Sequence, residues 1–240
     1  MSLVATTSTP EFPWESPVPA GDFWQGIEIN NLARAFYQNF TTGELSSMKL
    51  DPTLPHNDKL KSLDPIVAAR VVTEKEALGS TPTTSPEAKQ YRNFLYLHAT
   101  VKELYGDYLG AEVLFREFLE WSEPENLADY GALAHNLMNQ GRLGEAEGYA
   151  RISLNQICEH AGLGTDSPQA LGSLRMLMEI YAKGSRFDEA WKLHGEGVEL
   201  VDGMTRGRFG KYKGEEQEAL DELKDTIAKL ERESDSKSKL

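Results

Sequence analysis

The chain has 240 residues and a formal net charge of −13, from 38 Asp and Glu against 25 Lys and Arg. With 40% hydrophobic and 26% charged residues, its composition is typical of a soluble globular protein of one domain or slightly more. A negative field repels phosphate backbones and anionic lipid headgroups, which argues against nucleic acids and membrane surfaces as partners. No apolar run is long enough to span a membrane, and no signal-peptide pattern is found. The single Cys158 cannot form an internal disulfide. A cytoplasmic location is therefore expected, with the nucleus as an alternative.

Residues 1–25 are predicted to form a proline-rich extended arm, because proline removes backbone donors and fixes φ. The arm carries four large aromatic residues, Phe12, Trp14, Phe23 and Trp24. Side chains of this kind are mostly buried in folded proteins. We therefore expect the arm to pack along the folded body.

Residues 26–85 are predicted to contain two helices and a linker. Between residues 27 and 40 the apolar positions recur every three or four residues, which is one face of a helix. Residues 41–43 are predicted to end this helix, and a polar stretch follows.

The second helix is predicted over residues 64–78. Asp64 followed by Pro65 has the pattern of an N-cap with proline at the first helical position, and Gly79 is predicted to end the helix. A linker rich in Ser, Thr and Pro follows. Ser85 and Pro86 are then predicted to open the next helix.

A six-residue pattern occurs three times after Pro86, at residues 106–111, 141–146 and 185–190. Each copy has a small residue, a polar residue, an apolar residue, two variable positions and then alanine. A recurring pattern at intervals of this length is the signature of a helical repeat protein. Ser185 stands in the third copy where the first two have glycine.

The pattern resembles the turn between the two helices of a tetratricopeptide repeat (TPR), a helical hairpin of about 34 residues. In that family the glycine ends the first helix and the alanine lets the two helices approach. The connector over residues 161–168, with Leu163 and Gly164 before an acidic residue and a proline, is similar to that of kinesin-light-chain-type repeats.

The resemblance implies an all-α fold, a right-handed superhelical array of antiparallel helical hairpins. About three repeats are expected over residues 86–204, after the N-terminal helices and before a basic linker at 205–213. An amphipathic helix at 214–233 is expected to cap the array, since a terminal repeat needs a polar outer face. A two-stranded coiled coil, giving a dimer through this helix, is the alternative. Residues 234–240 are expected to be a disordered tail.

TPR arrays bind peptides through the concave face formed by the first helix of each hairpin, so the resemblance also implies a peptide-binding groove. The groove positions that it assigns are Asn93, Tyr96, Leu97, Thr100 and Glu103 in the first hairpin, Ala128, Gly131, Ala132, His135, Met138 and Asn139 in the second, and Gly172, Arg175, Met176, Glu179 and Lys183 in the third.

Several of these positions carry small residues, which lower helix propensity inside a helix and suggest that something lies close to the backbone. The occupant is either a peptide or helix of another protein, or the chain's own N-terminal arm or C-terminal helix. Only Arg175 offers a cation where some TPR proteins bind a terminal carboxylate, so an acidic C-terminal ligand is not favoured.

Other candidate sites are weak. The basic and aromatic run at 205–213 could bind single-stranded nucleic acid, but the global charge favours a linker. The five histidines form no metal-binding pattern, and no catalytic or cofactor motif is found, so neither metal nor cofactor is expected.

The sequence therefore predicts a non-catalytic protein interaction module, an adaptor or scaffold. A structural subunit whose groove is filled in cis is a second hypothesis. The third is an enzyme that uses Glu103, His135, Arg175 and Glu179 in the groove for proton transfer.

Overall fold

The computed structural model describes residues 18–25, 27, 30–79, 82–122, 129–204 and 207–237. Within these residues all regular structure is helical, so the predicted all-α class is confirmed. The chain divides into two compact units, unit 1 (Met1–Trp121) and unit 2 (Ser122–Leu240). The division falls inside the segment 86–204, where the sequence predicts one continuous array.

Unit 1 is built around α5. Its helices are α1 (Asp22–Gln25), α2 (Asn30–Asn39), α3 (Thr42–Ser47), α4 (His56–Leu78), α5 (Pro86–Leu104) and α6 (Tyr108–Glu120). Helices α2, α4 and α6 all pack on α5. Ser85 caps α5 by accepting a hydrogen bond from the Ala88 amide, as the sequence predicts.

Aromatic side chains from the N-terminal segment form part of this core. The rings of Trp24 and Phe36 lie 5.1 Å apart, and those of Phe40 and Phe94 lie 5.2 Å apart, which connects the segment to α5. Phe23 and Trp24 are buried, so the predicted packing is confirmed for these two. The other two aromatic residues of the arm, Phe12 and Trp14, lie outside the described residues.

Helix α2 ends at Asn39, close to the predicted stop at residues 41–43, but the short helix α3 that Thr41 begins was not predicted. The Thr41 hydroxyl accepts a hydrogen bond from the Glu44 amide, while the Glu44 carboxylate accepts one from the Thr41 amide at 2.7 Å. This reciprocal arrangement is a capping box. The spacing of Thr41 and Glu44 was the signal for α3.

The predicted start of α4 at Asp64 is wrong, because α4 begins at His56 and continues through Pro65. Proline inside a helix costs about 3 kcal/mol, since it removes a backbone hydrogen bond. Leu60 and Leu63 precede Pro65 and are fully buried, which stabilises by about 1.5 to 3 kcal/mol each. Core packing therefore offsets the cost of the proline.

Asp64 contacts α5 instead of capping α4. Its Oδ1 lies 2.8 Å from Nε2 of His98 and 3.5 Å from Nζ of Lys102. The Lys102 ammonium group also donates to Asp107 at 2.9 Å, so these charged side chains form a polar contact between α4, α5 and the α5–α6 turn.

Unit 2 contains five further helices among the described residues. They are α7 (Asp129–Asn139), α8 (Leu143–Glu159), α9 (Pro168–Lys183), α10 (Phe187–Gly203) and α11 (Lys213–Lys237). Each helix packs on the next, and α9 also contacts α7 and α11. The first helices of two hairpins and α11 therefore lie side by side.

The three recurring turns have the same geometry. Each connection has three residues, and its middle residue, Gly106, Gly141 or Ser185, has a positive φ of 93°, 76° or 59°. In each turn this residue's amide donates to the carbonyl three positions back, and the next amide donates to the carbonyl five positions back. Gly184 has a φ of −83°, so Ser185 itself takes the glycine position.

The alanine that ends each copy of the pattern lies at a helix contact. Ala111, Ala146 and Ala190 are all completely buried. Because the side chain of alanine is only a methyl group, two helices can approach closely where an alanine lies between them. The repeated pattern thus marks three helical hairpins with the same turn and the same close contact.

The C-terminal region is more ordered than the sequence predicts. Helix α11 covers residues 213–237, so it includes four residues of the predicted tail, while residues 238–240 lie outside the described part. In the basic segment Phe209 is buried, and Nζ of Lys213 lies 3.3 Å from the Asp202 carboxylate. The described part of this segment is therefore anchored.

Candidate binding groove

The sixteen predicted groove residues fall on both units. Those of the first hairpin lie on α5 of unit 1, and those of the second and third lie on α7 and α9 of unit 2, except Ala128, which is outside the described residues.

In unit 1 two of the five predicted side chains are committed to packing. Leu97 is buried in the same core cluster as Phe36 and Phe40 of the N-terminal segment. The Tyr96 ring packs on Phe118 of α6, at 5.3 Å between centroids. Leu97 therefore offers no open groove surface, whereas Tyr96 is half-buried.

The other three predicted residues of unit 1 remain half-buried. They are Asn93, Thr100 and Glu103. The Thr100 hydroxyl donates to the backbone carbonyl of Tyr96 within α5.

In unit 2 a cavity of about 400 Å³ lies between α7, α9 and α11, and we call it the unit 2 cavity. Its lining comprises His135, Gly172, Arg175, Met176, Glu179, Ala219, Glu222, Leu223 and Thr226. Five of these residues belong to the predicted groove. The structure therefore brings together part of the second and third hairpin positions.

The four lining residues of α11 were not predicted. They recur at steps of three, one and three residues, which places them on one face of the helix. The sequence predicts this helix as a cap, with a coiled coil or a groove filled in cis as alternatives, and not as one wall of a cavity. A helix that caps an array takes the place of the next hairpin's first helix, so its groove-facing side could have been included.

Two predicted positions on α7 do not line the unit 2 cavity for reasons that the structure provides. Met138 is buried. A Cβ on Gly131 would lie 3.1 Å from Oγ of Ser153 on α8, so a small residue is needed there for contact within the hairpin. The contact with Ser153 thus accounts for the small residue at Gly131 without an external ligand.

Gly172 differs from Gly131 in this respect. The nearest atom to a Cβ at Gly172 would be Nη2 of Arg175, at an ordinary contact distance of 3.8 Å. The backbone of α9 is therefore open to the unit 2 cavity at this point. Small size here widens the cavity and is not required by a neighbouring helix.

Two pairs of predicted polar residues interact within their own helices, one on α7 and one on α9. Nδ2 of Asn139 lies 3.3 Å from Nδ1 of His135, and the Lys183 ammonium lies 2.8 Å from the Glu179 carboxylate. These contacts span one helical turn. Ala132 is half-buried and is not among the lining residues.

Arg175 is committed to a partner on α11. Its guanidinium group donates to the carboxylate of Glu216, a residue that is only 7% exposed. The positive charge nearest the unit 2 cavity is thereby neutralised. Glu222 lines the same cavity and forms no ion pair with any described residue.

Two other polar clusters lie outside the unit 2 cavity and have a structural role. In the first, burial lowers the pKa of His98, although the Asp64 carboxylate acts in the opposite direction. Burial also acts to lower the pKa of Lys102, but hydrogen bonds to Asp107 and Tyr105 raise it overall. The cluster joins α4 to α5.

The second cluster joins α8 to α9 and to the turn after α9. The Tyr181 hydroxyl donates to Glu147 at 3.0 Å, and the Arg186 guanidinium lies 4.3 Å from the centre of the Tyr181 ring. Burial acts to raise the pKa of Glu147, but its hydrogen bonds to Arg186 and Arg151 lower it overall. A similar contact in unit 1 joins the Tyr91 hydroxyl to Glu117 at 2.6 Å, and burial raises the pKa of Tyr91 to about 12.

Among the described residues no three His, Cys, Asp or Glu side chains are placed to hold a metal ion. No described helix is both long and apolar enough to cross a membrane.

Comparison with known proteins gives no further guide to the site. No protein-family model matches the chain, and a search of curated proteins finds no match.

Proposed function

We propose that the chain is a non-catalytic protein interaction module, an adaptor or scaffold, that binds a peptide or helix of another protein in the unit 2 cavity. We also propose that its hairpins follow the TPR plan of a right-handed superhelical array. The observation that carries the proposal is the meeting of five predicted groove residues with α11 around one cavity.

The shared turn geometry supports the relation to TPR proteins. Three connections of equal length carry the same backbone hydrogen bonds and a residue with positive φ, and each is followed by a completely buried alanine. These are the features on which the sequence resemblance rests. They recur although Ser185 replaces the glycine of the third turn.

The size and position of the unit 2 cavity support peptide binding. Ligand sites in proteins are concave and have volumes of about 300 to 1,000 Å³. At about 400 Å³ the cavity has room for a few side chains of a bound segment. Three helices contribute to its walls, which is how the first helices of successive TPR hairpins form a groove.

The alternative of a structural subunit with a groove filled in cis is favoured by one observation in unit 1. There α2 packs on α5, and the predicted groove residue Leu97 is buried in the core cluster that also contains Phe36 and Phe40. We therefore restrict the binding proposal to unit 2. The N-terminal segment is part of the unit 1 core.

The enzyme hypothesis has less support. Of its four proposed polar residues, Glu103 lies on α5 of unit 1, and Arg175 is bound to Glu216. His135 and Glu179 both line the unit 2 cavity, but Glu179 pairs with Lys183.

A pair of glycine substitutions tests the proposed function. Gly172→Lys places a long side chain in the unit 2 cavity. Gly148→Lys places the same side chain at an exposed position of α8, where a Cβ has no neighbour within 4 Å. Both change one helical glycine to lysine, so they match in charge and helix propensity. Circular dichroism checks that both variants fold.

Affinity capture from native lysate with quantitative mass spectrometry compares the two variants with the unchanged chain. We expect one or more proteins to bind the unchanged chain and Gly148→Lys equally and to be lost from Gly172→Lys. Equal recovery of every bound protein by all three would overturn the proposal.

A further inference from the structure

Building on the proposed function, we infer that the segment bound in the unit 2 cavity is cationic, with a Lys or Arg next to an aliphatic residue. The inference concerns the chemistry of the partner. It depends on which charges around the cavity are already compensated and on which walls are apolar.

First, Arg175 is the only Lys or Arg side chain of the described part of the chain that lines the unit 2 cavity, and it already has an ion-pair partner. Arg175 is bound by Glu216, whose carboxylate is buried. Moving this guanidinium group to a ligand would leave the Glu216 carboxylate buried without its partner, which is unfavourable. An acidic segment or a terminal carboxylate therefore has no free cation among the lining residues.

The second step is the charge that remains. Glu179 is compensated by Lys183 at 2.8 Å, which leaves Glu222 as the uncompensated charge of the lining. Glu218 and Asp225 are exposed and lie four residues before and three residues after Glu222, so the three carboxylates share one edge of α11. A positively charged segment at this edge is attracted and oriented.

The third step is the apolar part of the lining. Met176 of α9 and Leu223 of α11 are half-buried and line the unit 2 cavity from two helices. Gly172 leaves the backbone open beside Met176. An aliphatic side chain that enters here loses contact with water, and the adjacent cation lies within reach of Glu222.

The test uses a phage-displayed library of random dodecapeptides, selected on the full chain and on the Gly172→Lys variant. We expect the full chain to enrich peptides with a Lys or Arg beside an aliphatic residue and Gly172→Lys to fail to enrich them. If the enriched peptides depend on Gly172 but are acidic or uncharged, the present inference fails and the proposed function stands. If no peptide is enriched, or if the same peptides are enriched on the full chain and on Gly172→Lys, both the present inference and the proposed function fail.

A fluorescence anisotropy measurement with one enriched peptide then tests Glu222. Because Glu222 is exposed, we expect Glu222→Gln to weaken binding about two- to fivefold. Reversal of the charge in Glu222→Lys should weaken it about tenfold, and a peptide with Glu in place of its cation should recover binding to this variant. Asp221→Lys makes the same charge change on α11 outside the lining and should leave the affinity within about twofold. Equal effects at both positions would overturn the role of Glu222.

Discussion

Arg175 of α9 and Glu216 of α11 form an ion pair between residues 41 positions apart in the chain. The side chain of Arg175 is 24% exposed and that of Glu216 is 10% exposed, so water screens the pair only in part. The contact attaches the C-terminal helix to the last hairpin. It also neutralises a positive charge at the unit 2 cavity, so we expect the same pair to affect both stability and the charge of the proposed ligand.

Breaking this pair should loosen α11. Arg175→Gln leaves a buried carboxylate without its counterion. We expect the free energy of unfolding to fall by about 2 to 3 kcal/mol, which is at or below the usual cost of breaking a buried ion pair because Arg175 is partly exposed. Hydrogen exchange should become faster in peptides from α11 and remain unchanged in α4 of unit 1. The double variant Arg175→Leu, Glu216→Leu should recover slow exchange. If exchange in α11 is unaffected by Arg175→Gln, the pair does not hold this helix.

Ser185 should be a site where glycine stabilises the chain. Its φ of 59° costs an L-residue about 1 to 2 kcal/mol relative to a normal helical conformation. Glycine relieves this strain but has more backbone freedom in the unfolded chain, which offsets part of the gain. We therefore expect Ser185→Gly to raise the free energy of unfolding by about 0.5 to 1 kcal/mol. Ser185→Ala keeps the strain and should give no gain. Urea denaturation of both variants distinguishes strain from loss of the hydroxyl group.

Two glycines on α10 should respond in opposite ways to larger side chains. Gly195 is exposed and has no neighbour within 4 Å of a Cβ, so Gly195→Ala should stabilise by about 0.5 to 1 kcal/mol through helix propensity. At Gly197 a Cβ would lie 3.2 Å from both Leu220 and Met178. Gly197→Val should therefore destabilise by about 1 to 3 kcal/mol through overpacking. Thermal unfolding compares the two, and a stable Gly197→Val would show that α9, α10 and α11 are not closely packed there.

His98 should make stability depend on pH below neutrality. Its folded-state pKa is lowered by burial from the ordinary value of 6.5, so the unfolded chain binds the proton more readily. The contribution of His98 is fully present above pH 6.5 and is lost as the pH falls from there towards the lower folded-state pKa. In His98→Gln the decline in melting temperature between about pH 7 and 5.5 should become smaller. His160→Gln, at an exposed position in unit 2, should keep the original slope, and an unchanged slope in His98→Gln would contradict this origin.

The hairpins could be predicted well because their signals are local. A turn is made by backbone hydrogen bonds between residues three to five positions apart, so Gly106 and Gly141 already mark it in the sequence. The N-cap at Ser85 is equally local. Buried alanines followed from the repetition of these turns.

The errors in helix limits have a different origin. Asp64 and Pro65 form a helix start by local preference, but Leu60 and Leu63 are buried against the rest of unit 1 and extend α4 towards its N-terminus. Local preference and core packing act on the same residues here. The packing energy is larger, and only the tertiary structure gives its size.

By itself the sequence determined that the described part of the chain is all-helical, where three hairpins turn, and five residues of α7 and α9 that line the unit 2 cavity. Only the tertiary structure decided that Leu97 is covered within unit 1, that α11 supplies the other wall of the unit 2 cavity, and that Arg175 is paired with Glu216. Helices and turns depend on contacts a few residues apart, whereas the cover of a surface and the partner of a charge depend on residues far apart in the chain.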